Sequence, residues 1–467
     1  MTISSRLPWE LGRADGNTTS WSRMARKEKT DYLIIGNSAG GIGAAEAIRQ
    51  VDKKGTLTIV SDEPYPAYSR PLISKYLAGE RNLEAILFRA LDFYDQNNIL
   101  FLPSKRVTRL ELDEQVARLE DSEQIVWQKL LIAVGGKAIF PKIKGSDKRG
   151  VFTFTTLDDA KAVDRFLDNR RKAVVIGGGL IGISVTEALA KRGVDVIVVE
   201  MKERILNTIL DQQASSMAEE ILRQAGVKIV TGHTVVEVNG RESVEGATLD
   251  NGDTMPCDLL LVAIGVLPRS KLALDAKLET NRGIVVDRLM ATNHPNIYAC
   301  GDVAEAYDFV YGENRLSPIW PNAYIGGRAA GFNMAGIPTK YSGGTAMNSV
   351  NYFGIDITSA GLPTAPNDDG YEVISRQESD TYQKVILKDN LIVGMIFVEN
   401  INESGIIFGL MRDKVNVESF KQSLLADDFG LAFLPRELWH ERLEAPPELI
   451  LQSAPSIQTE EETFLGE

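Results

Sequence analysis

Cysteine is nearly absent from this sequence of 467 residues: only Cys257 and Cys300 occur, far apart in the chain. Two such thiols exclude a disulfide framework and a C-x-x-C centre. They are also too few to hold an iron–sulfur cluster within this chain. Sparse cysteine fits a reducing cytoplasm. Histidine is almost as scarce. His233, His294 and His440 show no metal-ligand spacing, and each reads as a surface or turn residue. No metal site is expected. Positive charge is in the minority, with a net charge of −13, which argues against a nucleic-acid surface. A local basic patch facing an acidic redox partner is compatible with that total. No membrane span is expected, and residues 1–30 lack the apolar run of a signal peptide.

What the chain does have is ordinary globular composition and a length that suggests about three domains. The stretch from Asp31 to Lys75 organises the rest. Asp31 to Ile35 is a short apolar run that suits a buried parallel strand. It leads into Gly36-Asn37-Ser38-Ala39-Gly40-Gly41, then an Ala-rich helical segment from Ile42 to Arg49, then the strand Leu57 to Val60. Such a βαβ unit can seat a phosphate, because glycines let it approach the backbone and the helix N-terminus offers free N–H groups. Gly36 and Gly41 hold the outer places of G-x-G-x-x-G, while Ser38 replaces the middle glycine. Asp62 stands where a carboxylate could accept the ribose hydroxyls of an adenosine. The plainer alternative is a Gly-rich turn in a core.

A second unit begins at Arg171. The strand Lys172 to Ile176 precedes Gly177-Gly178-Gly179-Leu180-Ile181-Gly182, a full G-x-G-x-x-G, with a helix from Ile183 to Arg192 and a strand from Val194 ending at Glu200. Gly177, Gly179 and Gly182 form the cradle. Glu200 would bond the ribose and repel a 2′-phosphate, which favours NAD over NADP, although Lys202 and Arg204 lie close by.

Between these units lies Glu63-Pro64-Tyr65-Pro66-Ala67-Tyr68-Ser69-Arg70-Pro71-Leu72-Ile73-Ser74-Lys75. This block resembles that of the FAD-dependent pyridine nucleotide-disulfide oxidoreductases of the rubredoxin and ferredoxin reductase type. Tyr68, Arg70, Pro71, Ser74 and Lys75 match it, while Ala67 and Ile73 depart mildly. The resemblance implies that Asp62 binds the FAD ribose, Arg70 lies by the pyrophosphate and Lys75 reaches the flavin N5 edge as the catalytic group. Three further phrases look like the family. Leu131-Ile132-Ala133-Val134-Gly135-Gly136 resembles its A-T-G return to the FAD sheet, which places Ala133 and Gly135 at the cofactor. Ala263-Ile264-Gly265-Val266-Leu267-Pro268 resembles its A-I-G-x-x-P strand, with Arg269 in place of the usual Asn. Cys300-Gly301-Asp302 resembles its second flavin signature, in which the aspartate accepts from a ribityl hydroxyl; Asp302 also reads as a helix N-cap.

The W-P-x-A start at Trp320 and Ala323 resembles the nitrite-reductase-like branch and puts a helix N-terminus at the flavin. Trp320 reads equally as core and Pro321 as a first-turn proline. The main departure is Ser184, where the family carries a glutamate that contacts the nicotinamide amide and pairs with the lysine at N5. Glu187 lies one turn farther along, so Lys75 is expected to lack its partner and nicotinamide docking to weaken. Ser184 also reads as a small residue for close helix packing.

The expected fold is α/β: two Rossmann-like dinucleotide-binding domains, for FAD and NAD, plus an α+β C-terminal interface domain. The expected boundaries are a polar arm at 1–30, an FAD domain at 31–149 and 270–344, an NAD domain at 150–269, the interface domain at 345–450 and an acidic tail at 451–467. A helical, polar course is expected from Lys75 to Asn98, and another from Asp413 to Leu425. The resemblance implies an FAD-containing NAD(P)H oxidoreductase that moves hydride between NADH and FAD and electrons to or from an iron–sulfur or other redox protein. It also looks like the FAD/NADH subunits of phenylglyoxylate dehydrogenase-like complexes; a homodimer is the other assembly considered. The alternatives are an NADH oxidase or diaphorase using oxygen or a small acceptor, and a non-catalytic FAD-binding subunit.

Overall fold

The computed structural model describes residues 27–168, 170–367 and 370–436. The arm before Lys27, the acidic tail and His440 lie outside these residues. The first unit is built on a seven-stranded sheet. Its strand order is Ile99–Leu102, Leu57–Val60, Lys27–Ile35, Gln124–Ile132, Val116–Leu119 and Val107–Glu111, with Ile297–Ala299 added to Gln124–Ile132. The pairs around Lys27–Ile35 are parallel, and their burial on both faces explains the unbroken apolar runs. The strand starts at Lys27, four residares earlier than expected, because Lys27 to Thr30 pair with Gln124 to Trp127.

The second unit is a five-stranded parallel sheet in the order Lys228–Thr231, Asp195–Glu200, Lys172–Ile176, Leu259–Val262, Val151–Thr153. A short antiparallel ribbon, Gly136–Ala138 against Val266–Pro268, joins the two units. The third unit is a five-stranded antiparallel sheet, from Met347–Tyr352 at one edge to Tyr371–Gln377 at the other, backed by the helix Ser404–Arg412. One buried apolar cluster runs from the second unit through Tyr68, Ile73 and Leu77 of the first into Tyr352, Ile355 and Ile396 of the third.

Two expected helical stretches are corrected. Between Lys75 and Asn98 there are only the helices Ile73–Leu77 and Phe93–Gln96 and a single 3-10 turn, Glu84–Ile86. Between Asp413 and Leu425 only the 3-10 turn Lys421–Ser423 forms. Both stretches are pinned by tertiary contacts: Phe93 and Tyr94 enter the first core, and Val417, Phe420 and Leu424 enter the third. Such contacts override weak local helix preference.

The helices Ala39–Val51 and Trp320–Met334 pack backbone against backbone. A side chain at Gly327 would run into the backbone of Gly40. This contact brings both helix N-termini to the carboxyl ends of the first sheet, the place where open α/β sheets bind ligands. Among the described residues, no helix is long and apolar enough to cross a membrane.

Candidate functional site

A cavity of about 1190 Å³ opens at that end of the first sheet. It exceeds the roughly 300–1,000 Å³ that holds a drug-sized ligand, and so has room for an extended dinucleotide. Its walls come from all three units. Gly36, Ser38, Ala133 and Gly135 line one end, Gly301, Asp302, Trp320 and Ala323 another side, and Asp62, Arg70, Lys75 and Ser184 the remainder. Gly41 lies behind the wall, where a side chain would meet the carbonyl of Gly36. Gly177, Gly179, Gly182, Glu200 and Gly265 are outside it, and the second cradle and its helix meet the cavity through Leu180, Ile181, Ser184 and Glu187.

The helix starts at these cradles share a property. Ala39–Val51, Leu180–Lys191 and Trp320–Met334 begin without any side-chain cap bond. By contrast, Leu157–Leu167 has a full capping box from Thr156 and Asp159, and Gln212–Gln224 is capped by Asp211. A helix start needs acceptors for its free N–H groups, and these three are placed to receive an anion, whereas Ser404–Arg412, also uncapped, lies away from both cradles. Asp302 fits a sugar or polyol ligand. Its carboxyl faces the cavity, and burial raises it above the usual carboxylate range while Arg70 opposes the shift. Cys300 beside it is fully buried and its thiol is pushed up to about 12, first by burial and then by Asp302, so it stays protonated. These features together fit an FAD.

Two expected roles meet prior partners. Asp62 binds Arg269 at 2.8 Å, so the arginine that departs from the family holds the acid expected at the ribose. Arg70 bonds Glu63 and, at 3.0 Å, the carbonyl of Thr155 in the second unit. Tyr68 completes this link, donating to Glu63 at 2.6 Å and accepting from the Leu157 amide at 3.0 Å. Glu200 is buried and accepts from the Gly178 amide at 2.7 Å and the Lys202 amide at 2.8 Å. Trp320 is half-buried, edge-on to Phe88 with ring centres 5.1 Å apart.

The expectation that Lys75 lacks a partner is overturned. Its Nζ lies 3.3 Å from Glu187 Oε2 and 3.4 Å from Glu80. Glu187 Oε1 meets Lys191 at 2.9 Å and accepts from the Phe353 amide at 3.1 Å. Glu187 is only 5% exposed, so this carboxylate sits where all three units converge. One turn of helix displaces the acid along the axis but keeps it on the face that meets Lys75. Ser184 bonds a different residue, Tyr352 of the third unit, at 3.1 Å. Helical spacing could have pointed to Glu187. Nothing in the sequence singles out Tyr352 or the Phe353 amide, because both arrive from a strand more than a hundred residues away.

The family model described as pyridine nucleotide-disulphide oxidoreductase matches residues 30–327, and that described as rubredoxin NAD+ reductase C-terminal domain matches residues 347–415. The chain is 34% identical to the NADH-dependent phenylglyoxylate dehydrogenase subunit epsilon of Aromatoleum evansii, over 86% of this chain and 96% of that one. It is 30% identical to an assimilatory nitrate reductase electron transfer subunit of Bacillus subtilis over 83% of its length, but spans only 48% of that relative. A crystal structure of a ferredoxin reductase from Rhodopseudomonas palustris superposes with a TM-score of 0.75 at 25% identity, covering 83% of this chain and 96% of that one.

Proposed function

The chain belongs to the pyridine nucleotide-disulphide oxidoreductase family, and from that premise we propose that it binds FAD in the large cavity, exchanges hydride with NADH where the three units meet, and passes electrons to or from an iron–sulfur or other redox protein. The observation that carries this reading is the single cavity walled by the first cradle, by the start of the second unit's helix and by Lys75 between them. When bound, FAD supplies the hydride chemistry and the step between two-electron and one-electron carriers.

The residues bind and orient. The Gly36 loop and the uncapped start at Ala39 hold the pyrophosphate, Asp302 accepts from the ribityl chain, and the uncapped start at Trp320 faces the ring end. Lys75, steered by Glu187, presents its ammonium group to the ring edge that takes up hydride. The second cradle holds NADH, and buried Glu200 disfavours a 2′-phosphate. Glu200 also keeps the loop closed by binding Gly178. The partner is an iron–sulfur or other redox protein or subunit, and the chain works in the cytoplasm as part of a larger complex.

Anaerobic titration of the yellow protein with NADH tests this. Bleaching of the flavin band is expected. A protein that stays yellow at millimolar NADH, the weak end of ordinary KM values, would instead use FAD without nicotinamide chemistry. Fast oxygen consumption by the isolated chain with NADH would turn the second half of the reading into an NADH oxidase. Iron in a copurifying partner would support the electron-transfer reading.

A further inference from the structure

Ser184 stands on the first turns of the helix Leu180–Lys191, on the cavity wall beside Lys75 and Glu187. A neutral hydroxyl can be donor or acceptor, so by itself it reads nothing in particular. Here its direction is settled by its neighbours. Tyr352 donates its one phenolic proton to the Leu180 carbonyl at 3.1 Å. Its oxygen can then only accept from Ser184, at 3.1 Å. The Ser184 proton is thereby committed away from the cavity, and the lone pairs left on its Oγ are acceptors only. Tyr352 is buried and its hydroxyl is pushed up to about 12, chiefly by burial, so this direction persists through the ordinary pH range. Bonds in such a chain also polarise one another, which strengthens the terminal acceptor.

We propose that Tyr352, reaching in from the third unit, fixes Ser184 as an acceptor for the amino group of the nicotinamide carboxamide. This hydroxyl relay takes the place of a carboxylate in reading that amide, while Glu187 serves Lys75. Tyr352 is a positioning residue and acts through Ser184. The inference rests on the NADH reading above.

The test compares equilibrium binding of three ligands to the FAD-loaded protein: NAD, its 3-acetylpyridine analogue, which lacks the amino group, and ADP-ribose, which lacks the ring altogether. The wild type is expected to bind NAD about 10-fold more tightly than the analogue, the worth of one directed hydrogen bond. Tyr352→Phe and Ser184→Ala should each shrink that ratio to about 1–3 while leaving ADP-ribose affinity unchanged. The double variant should lose no more than either single one, because one relay is broken in each case. A ratio that survives both changes overturns the inference. So does an equal fall in ADP-ribose affinity, which would mean that Tyr352 only holds the units together. Should Tyr352→Phe fail to fold, Ser184→Ala alone decides. A wild type that binds none of the three ligands condemns the NADH reading itself, a different outcome from a lost ratio.

Discussion

The two glycine cradles invite comparison, because the one with the weaker motif lines the large cavity with its glycines and the one with the full motif reaches it only with Leu180 and Ile181. Their backbones agree. Gly36 has φ +122° and Gly177 has φ +104°, and each lies against a strand carbonyl, Ala133 or Ala263. The middle residue is extended in both, Ser38 at φ −121° and Gly179 at φ −82°. A side chain at Gly179 would meet no protein atom within 4 Å. The middle glycine is therefore not needed to make the turn, and what it leaves open is room for a ligand. The acids differ more. The pairing of Val60 with Ile35 and of Val199 with Ile176 puts Ser61, not Asp62, at the place of Glu200. Glu200 reaches back to its own loop, while Asp62, one residue beyond, turns to Arg269.

The largest effect should come from breaking what the two loops share. Gly36→Val and Gly177→Val each force a branched side chain into a positive φ and a carbonyl, at about 3 kcal/mol or more. Gly36→Val should purify colourless, whereas Gly177→Val should stay yellow but resist bleaching by NADH; absorption spectra before and after NADH check both. Next comes the difference in the acids. Glu200→Ala leaves two backbone N–H groups without their acceptor, at about 2–3 kcal/mol, and should raise the KM for NADH at least tenfold. Asp62→Ala removes a half-exposed pair worth about 0–1 kcal/mol. Urea unfolding curves separate the two.

A smaller effect sharpens the contrast from the first unit's side. Burial raises the Asp302 carboxyl, with Arg70 opposing, so its charge costs stability in full above the raised value, and the cost fades as pH falls from there to the unfolded value and is gone below it. In the flavin-free protein Asp302→Asn should therefore raise Tm at neutral pH by roughly 2–4 °C and do nothing in acid. Thermal melts across pH read this out. The smallest effect belongs to the tolerant middle position. Ser38→Gly and Gly179→Ser should each change stability by no more than about 0.5 kcal/mol, with only Gly179→Ser weakening NADH binding.

Much of this was legible in the chain. Apolar runs gave the parallel strands, and Gly36, Gly41, Gly177 and Gly182 marked the turns, because a buried parallel strand and a tight turn each demand particular residue types locally. Glu187 was within reach of helical periodicity, yet its pairing with Lys75 depends on how the helices Ile73–Leu77 and Leu180–Lys191 approach each other. The approach of Gly327 to Gly40 joins two helices far apart along the chain and had no local signal. Arg269 looked like a departure from pattern until it was seen holding Asp62.

The sequence by itself determined two nucleotide-binding βαβ units, their order and their glycine turns, since each is written within a few dozen consecutive residues. Only the tertiary structure decided which acid serves Lys75, which residue directs Ser184 and where Asp62 turns. Those are distances between side chains far apart along the chain, and they exist only once packing of the three units has fixed them.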